Sequence, residues 1–226
     1  MKTIKIIAAI LFLLHLSHKA HSQNINWQNL DKDQKHIFNL NTGFEYGMIF
    51  GAAYSYQLKT KLPTLLSIEY SSPAGKKVLD DFKTKIGVQV RVLKIDNICV
   101  SAKINGVFRK LDDPLVKIVN FGSEFSTTVG YYKPRWYVAG EAGFDKTIAT
   151  HFKHSDLFKE YFAGVKNGWY QPATGGNFYF GVQTGVSFKN IDITIKGGRI
   201  ITQDFKTKPL IPFYAQLGVN MRLSSF

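Results

Sequence analysis

Between Phe82 and Arg109 the sequence consists of two runs in which every second residue is apolar. The runs meet at 94–97, a short polar stretch that suits a tight turn. Because successive side chains of a strand point to opposite faces, each run has one apolar and one polar face. At roughly 3.3 Å per residue, each run is long enough to cross a bilayer at a tilt. The pattern therefore predicts a transmembrane β-hairpin.

The same alternation covers most of 37–226. It predicts an all-β fold, an antiparallel up-and-down transmembrane β-barrel of about ten strands, with eight or twelve as alternatives. Segment 37–58 fits either two strands joined by a turn at 46–48 or one long strand. An even strand count favours the split, because an outward strand must precede the inward strand that ends at 58.

The predicted connections alternate in length along the chain. The short ones are 59–63, 94–97, 133–135 and 189–190, and the long ones are 72–81, 110–116, 148–176 and 201–210. Within the longest, 148–176, Ser155 is suited to cap a short helix. Outer-membrane barrels place short turns in the periplasm and long loops outside. This rule predicts periplasmic termini and a long outer loop at 148–176.

The amino terminus has the features of an export signal. Two lysines precede the apolar run 6–14, and Ala20 and Ser22 supply the small residues that a signal peptidase reads. We therefore expect a cleaved signal peptide at 1–22 and a short periplasmic lead-in at 23–36. No other segment approaches 18 apolar residues, so a membrane protein made from this chain must be a closed barrel.

The formal net charge of +13 falls to about +10 without the leader, which carries three lysines and no acid. The basic residues are spread along the chain, and no nucleic-acid-binding motif accompanies them, so a nucleic-acid partner is not expected. Anionic lipid headgroups or acidic ligands are better candidates. Cys99 is the only cysteine, and its place on the polar face of a strand predicts a residue that fills the lumen.

The polar faces carry charges of both signs that are expected to line the lumen. The candidate residues are Lys83, Lys85, Arg91, Lys103, Arg109, Glu45, Glu69, Glu124 and Glu141, with Asp145 on a further strand. One interpretation is a narrow pore that favours anions. The other, which we favour, is a set of ion pairs that fills a narrow lumen, because charges away from water need partners.

A soluble lipocalin-like barrel, with its apolar face inward around a ligand, is an alternative. Two features argue against it. Large aromatic residues on the apolar face lie near the strand ends, as interfacial girdles do. The polar face carries many glycines, which suits a crowded lumen better than a solvated exterior.

The chain ends on a strand with the pattern Gln216-x-Gly218-x-x-Met221-x-Leu223 and a terminal Phe226. This pattern resembles the assembly signal on the last strand of bacterial outer-membrane proteins. The chain as a whole resembles the small outer-membrane β-barrel proteins of Gram-negative bacteria. The resemblance implies outer-membrane lipids and the barrel-assembly machinery as partners and the outer membrane as location, but no particular activity or ligand, because the family includes adhesins, pores, enzymes and structural proteins.

The predicted outer loop contains the remaining candidates for chemistry. His151, His154 and Asp156 are of metal-ligand types, but no further ligands are nearby, so neither a metal nor a cofactor is expected. Some outer-membrane proteases use acid and His residues at the outer rim and resemble this chain in strand number alone. A rim-active hydrolase built on Asp145, His151, His154 and Asp156 is therefore a less favoured alternative, and no nucleophilic Ser motif is present. Trp169 and Tyr170 suit either ligand contacts or packing of the loop on the barrel rim. We expect a non-enzymatic surface, structural or ligand-contacting protein.

Overall fold

The structure, a computed structural model, describes residues 25–30, 33–75, 79–173 and 175–224. The predicted leader and Phe226 lie outside these residues. The elements are β1 (His36–Phe44), β2 (Met48–Leu58), β3 (Thr64–Pro73), β4 (Asp81–Ile95), β5 (Ile98–Asp112), β6 (Val116–Lys133), β7 (Trp136–His154), α1 (Asp156–Tyr161), β8 (Gly168–Tyr170), β9 (Gly176–Phe188), β10 (Ile191–Thr202) and β11 (Phe213–Leu223). No helix in the described part of the chain is long and apolar enough to span a membrane.

Ten of the strands form a closed antiparallel barrel. Each strand pairs with its neighbours along the chain, β7 pairs with β9, and β11 pairs with β1 to complete the ring. The short strand β8 lies outside the ring and pairs only with the end of β7. The predicted strand count and the split of 37–58 into two strands are confirmed.

The barrel has two unlike ends. At one end, which we call the short-turn end, the connections are 59–63, 96–97, 134–135 and 189–190, and the first and last strands of the barrel begin and end there. The other, the long-loop end, has the connections 45–47, 74–80, 113–115, 155–175 and 203–212. Asp96 and Lys189 each have a φ of 50°, the left-handed conformation that two-residue hairpin turns require.

The predicted start of the long loop at Ile148 is wrong, because β7 continues to His154. The register between β6 and β7 shifts where Phe121 and Gly122 face Ala149 and Thr147, so Ile148 is an extra residue in β7. A β-bulge of this kind exchanges the faces of all later residues. The apolar–polar alternation of the sequence is therefore interrupted at Ile148, although strand β7 continues beyond it. The predicted connection 110–116 is likewise shorter, at 113–115.

The apolar faces of the strands point outward and the polar faces inward. At mid-strand, Ile86, Ile104 and Val182 are 62%, 59% and 56% exposed. Asn105, next to Ile104, is buried in the lumen at 2% exposure. The predicted division of faces is therefore observed from Phe82 to Arg91 and along β5. Val92 is an extra residue in β4, so Leu93 and Ile95 pair with Val100 and Ile98 on the outward face, and the predicted connection 94–97 is shortened to 96–97.

Residues 25–30, predicted as a lead-in before the barrel, lie inside the short-turn end. Ile25 and Trp27 are 3% and 2% exposed and pack with inward side chains of the strands. The cluster comprises Ile25, Trp27, Ile37, Leu65, Cys99, Tyr132, Tyr137 and Ala139, with Leu30 against it. We call residues 25–30 the plug. Ile25, Trp27 and Leu30 are the apolar residues of the plug, and the burial of Ile25 and Trp27 accounts for the docking of the segment.

Candidate functional site

The middle of the lumen is filled by a network of ion pairs. Lys83 Nζ lies 2.9 Å from Glu45 Oε1 and 3.6 Å from Asp145 Oδ2, so it bridges two acids. Lys85 Nζ lies 2.6 Å from Glu124 Oε2. Lys83 and Lys85 of β4, Glu124 of β6 and Asp145 of β7 share one interior because each occupies the inward phase of its strand, and Glu45 reaches them from the connection 45–47. Lys103 pairs with Glu69, which is 1% exposed.

Two tyrosines complete the network. Tyr179 Oη donates to Glu124 Oε1 at 2.7 Å, and Tyr214 Oη donates to Glu141 Oε1 at 2.6 Å. Lys196 Nζ lies 3.9 Å from the same Glu141 oxygen. Buried carboxylates are thus supplied with both cations and neutral donors, as the cost of removing them from water requires.

Glycines give the lumen tyrosines their space. A Cβ atom at Gly143 would lie 2.4 Å from the Tyr179 ring, and a Cβ at Gly181 would lie 2.4 Å from Tyr214 Oη. Gly143, Gly181 and Gly185 therefore mark places where a tyrosine from another strand crosses the lumen, whereas a Cβ at Gly122 or Gly130 would meet mainly the neighbouring strand. This finding agrees with the prediction that the polar face is short of space.

Two predicted members of the lumen set lie at its ends. Arg91 is near the short-turn end, where its Nη1 donates to the Trp27 carbonyl at 3.1 Å and its guanidinium lies 6.0 Å from the indole centroid. Arg109 is near the long-loop end, 3.6 Å from Asp81 and 4.2 Å from the Tyr46 ring centroid. Desolvation by burial raises the pKa of the Tyr46 phenol, so this ring is a neutral platform for the guanidinium.

Sequence reasoning missed a fully buried ion pair at the short-turn end. Arg222 Nη2 lies 3.1 Å from Asp192 Oδ1, and both side chains are 1% exposed. Arg222 also donates to the carbonyls of Asn29 and Lys189, which ties the plug to the last strand and to a turn. The alternation in β10 and β11 places Asp192 and Arg222 on the inward face. The same alternation places Lys196, Tyr179 and Tyr214 inward on their own strands.

Above the network, the long-loop end opens into a vestibule. Cavities of about 370 and 300 Å³ adjoin there and share Lys83, Arg109, Asp145 and Asn177 in their walls. A cavity of about 80 Å³ lies deeper, and one of about 30 Å³ lies among Glu69, Lys85 and Lys103 and their neighbours. The last is of the size of one water molecule. The described side chains therefore leave a wide mouth at this end and a very narrow middle.

The aromatic residues predicted as loop contacts hold the long loop against the barrel. Trp169 pairs with His151 in the β7–β8 ladder, and its ring lies 5.0 Å from the imidazole and 6.0 Å from Phe121. Tyr170 packs edge-on against Phe152, and its hydroxyl donates to the Lys166 carbonyl at 3.0 Å. Trp169 still has 60% of its surface exposed.

The other loop candidates do not converge. His154 contacts Asn167 and stacks on Phe158, while Asp156 pairs with Lys159 in the first turn of α1. Asp145 faces the lumen beside Lys83. No group of three metal-ligating side chains occurs among the described residues. The helix itself is confirmed, with Ser155 Oγ accepting from the Phe158 amide at 3.2 Å as its N-cap.

The residues of the predicted assembly signal lie on β11. Gln216 points inward, where its Nε2 donates to Glu45 Oε2 at 3.2 Å, and Gly218 also faces the lumen, where a Cβ would lie 2.9 Å from Asn41 Cβ. Met221 points outward and pairs with Phe38 of β1, and Leu223 pairs with His36 at the strand end. The strand that carries the pattern is thus the strand that closes the barrel.

Comparison with models of protein families and with curated protein sequences finds no match to this chain.

Proposed function

We propose that this chain is an outer-membrane β-barrel protein with a closed lumen and a non-enzymatic surface or structural role. The observation that carries the proposal is the distribution of faces around a closed ring of strands. Large apolar side chains cover the outside at mid-strand, and charged side chains are enclosed. In water this arrangement would leave an apolar surface far larger than monomeric soluble proteins tolerate. In a bilayer it satisfies both the side chains and the backbone.

The lipocalin-like alternative requires the reverse arrangement. Such a barrel surrounds its ligand with apolar side chains and presents polar ones to water. Here the interior holds the Lys85–Glu124 and Arg222–Asp192 pairs. The apolar side chains Phe125 and Val129 of β6 are instead 53% and 51% exposed.

The pore alternative is disfavoured by the plug and by the pairing of lumen charges. Each of Lys83, Lys85 and Lys103 lies beside a carboxylate, so these cations present little net positive charge to a permeating anion. Below them the stacked rings of Tyr132 and Tyr137, 5.1 Å apart, and the plug occupy the cross-section. We infer that the barrel conducts poorly or not at all, and that any ligand contacts are made at the vestibule.

The orientation follows from the lengths of the connections. Short turns in the periplasm and long loops outside would place both ends of the barrel sequence, and the plug, on the periplasmic side. Delivery would depend on the predicted signal peptide at 1–22, and insertion on the barrel-assembly machinery.

Paired cysteine variants test the membrane position directly. Ile104→Cys and Lys208→Cys, each with Cys99→Ser, place a fluorescent label on the outer face of the barrel wall and in an exposed loop of the long-loop end. Lipid-borne quenchers should quench the label at position 104 and spare the label at 208. Absence of quenching at position 104 would contradict the proposal.

Cell fractionation and a bilayer recording address location and conduction. The protein should separate with the outer membrane and migrate differently on a gel before and after boiling. In a planar bilayer, the refolded protein should give no steady channel current. A stable conductance that favours anions would replace the closed-lumen proposal with the pore.

A further inference from the structure

The four short turns and their flanking strand residues are strongly basic. Segments 59–63, 94–97, 133–135 and 189–190 contain six lysines and arginines and a single acid, Asp96. All six basic side chains are exposed. They are Lys59, Lys61, Lys94, Lys133, Arg135 and Lys189, which we call the turn ring.

The turn ring is not a consequence of the basic composition of the whole chain. The five connections of the long-loop end, which contain many more residues, carry six lysines and six acids. The lumen charges are largely paired. With the same kind of bounds, the connections 59–63, 96–97, 134–135 and 189–190 carry four basic residues and one acid, while Lys94 and Lys133 lie on the flanking strands. The excess positive charge of the connections is therefore concentrated at this end.

Exposed aromatic side chains lie next to the turn ring on the barrel wall. Tyr131 and Trp136 flank the turn 134–135, with ring centroids 5.8 Å apart, and Phe188 is 58% exposed beside the turn 189–190. Lys133 Nζ lies 5.7 Å from the Tyr131 ring centroid. Tyrosine and tryptophan prefer the level of lipid headgroups. Cations just beyond them lie where the phosphates of the same leaflet would be.

We propose that the turn ring binds anionic glycerophospholipids through the phosphates of their headgroups. This inference rests on the proposed function, because it requires that the barrel spans a bilayer. The charge of the ring is complementary to such lipids, and the adjoining aromatic residues fix the ring at their depth. Each Lys or Arg near an anionic membrane surface contributes about 1 kcal/mol, which is about fivefold in association.

The test measures lipid selectivity of the full chain refolded into phosphatidylcholine vesicles. Spin-labelled phosphatidylglycerol and spin-labelled phosphatidylcholine are added in turn, and the motionally restricted fraction of each is recorded. The wild-type protein should prefer phosphatidylglycerol by about fivefold or more. The variant Lys59→Gln, Lys61→Gln, Lys133→Gln, Arg135→Gln should lower the ratio severalfold toward one, with Lys94 and Lys189 still in place. Lys94 is left unchanged because its Nζ donates to Gln28 of the plug at 3.0 Å.

A matched control removes the same charge from the other end. Lys153→Gln, Lys166→Gln, Lys206→Gln, Lys208→Gln changes four exposed lysines of the long-loop end. This variant should keep the wild-type selectivity. An equal loss in the control would overturn the inference, because overall charge would then explain the preference.

A gel shift on boiling, recorded for every sample, separates the two proposals. Insertion with no preference for phosphatidylglycerol would overturn the turn-ring inference and leave the proposed function standing. That result would also be expected if the ring bound an acidic soluble partner instead. Failure of the wild-type protein to insert would overturn both.

Discussion

The two ends of the barrel are built from the same strands but differ in how their interior is filled. At the short-turn end the plug, the Tyr132–Tyr137 stack and the Arg222–Asp192 pair fill the interior. At the long-loop end the strands are unequal in length, and β6 and β7 extend furthest. Cavities of about 370 and 300 Å³ remain inside this end of the barrel. One end is sealed and surrounded by cations, while the other is open and balanced in charge.

The difference shows what turn length does to a barrel. Two-residue turns such as 96–97 and 189–190 hold strand ends at one level, so a short segment reaches across the mouth. Asn26 Nδ2 donates to the Lys133 carbonyl at 2.8 Å and to Ser187 Oγ at 3.0 Å. Gln28 Nε2 donates to the Asp96 carbonyl at 3.1 Å. The plug thus bonds to the turn 96–97 and to strand residues close to the turns 134–135 and 189–190. At the long-loop end the strands end at different heights, so a short segment has no even rim to bond to.

The largest effect is expected from the ion pair of the sealed end. Arg222→Ala would leave Asp192 buried without its cation and remove two hydrogen bonds, one of them to the plug. We expect a loss of about 3–5 kcal/mol in the free energy of unfolding, measured by urea titration in lipid vesicles. Arg109→Ala at the open end should cost much less, because its side chain is 35% exposed. Similar losses for both would contradict the distinction between the ends.

A pair of tryptophan variants tests whether the plug depends on burial. Trp27→Ala should weaken docking of the plug by roughly 3 kcal/mol, because a 2% exposed indole leaves a cavity. Protease added to detergent-solubilised protein should then cleave near residues 25–30. Trp169→Ala, at 60% exposure, is the control and should leave that region resistant. Resistance in both variants would mean that hydrogen bonds alone hold the plug.

Between the two ends, the fit of the lumen is tested at Gly143. Gly143→Val should collide with the Tyr179 ring and lower the free energy of unfolding by about 1–3 kcal/mol. Gly164→Ala is the matched control, because a Cβ there meets no atom within 4 Å. A mild result at position 143 would indicate that Tyr179 leaves the network without cost. Loss of the Tyr179–Glu124 bond would then be visible as a more exposed tyrosine.

The smallest effect is expected in a loop of the open end. The pKa of Asp204 is lowered to about 2 by amide donors from Lys206 and Thr207 and by the hydroxyls of Thr202 and Thr207. Because the folded-state pKa is depressed, the stabilisation is present above the ordinary pKa near 4 and is lost as the pH falls toward 2. A spin label at position 208, with Cys99→Ser, should gain mobility only over that range. Asp204→Asn should make its mobility independent of pH.

The fold could be predicted from the sequence where many consecutive residues follow the same apolar–polar alternation. In the hairpin 82–109 most side chains support the same assignment of faces, so the extra residue Val92 in β4 and the apolar Val107 on the polar face do not obscure it. The same redundancy led to ten strands and to the inward position of Lys85 and Glu124. The prediction failed at Ile148, where one inserted residue reverses the phase and no neighbouring residue signals the change.

Which inward residues meet was decided by the tertiary structure alone. The alternation assigns a face to Lys83 but cannot choose among Glu45, Asp145 and the other acids, because the pairing depends on the stagger of strands far apart in sequence. The plug is a stronger case. Residues 25–30 are too few to show a reliable period, and the apolar side chains of Ile25, Trp27 and Leu30 do not by themselves specify where the segment binds. Only after the ring closes is there an apolar mouth of the right width, and burial of Trp27 in that mouth then determines the position of the segment.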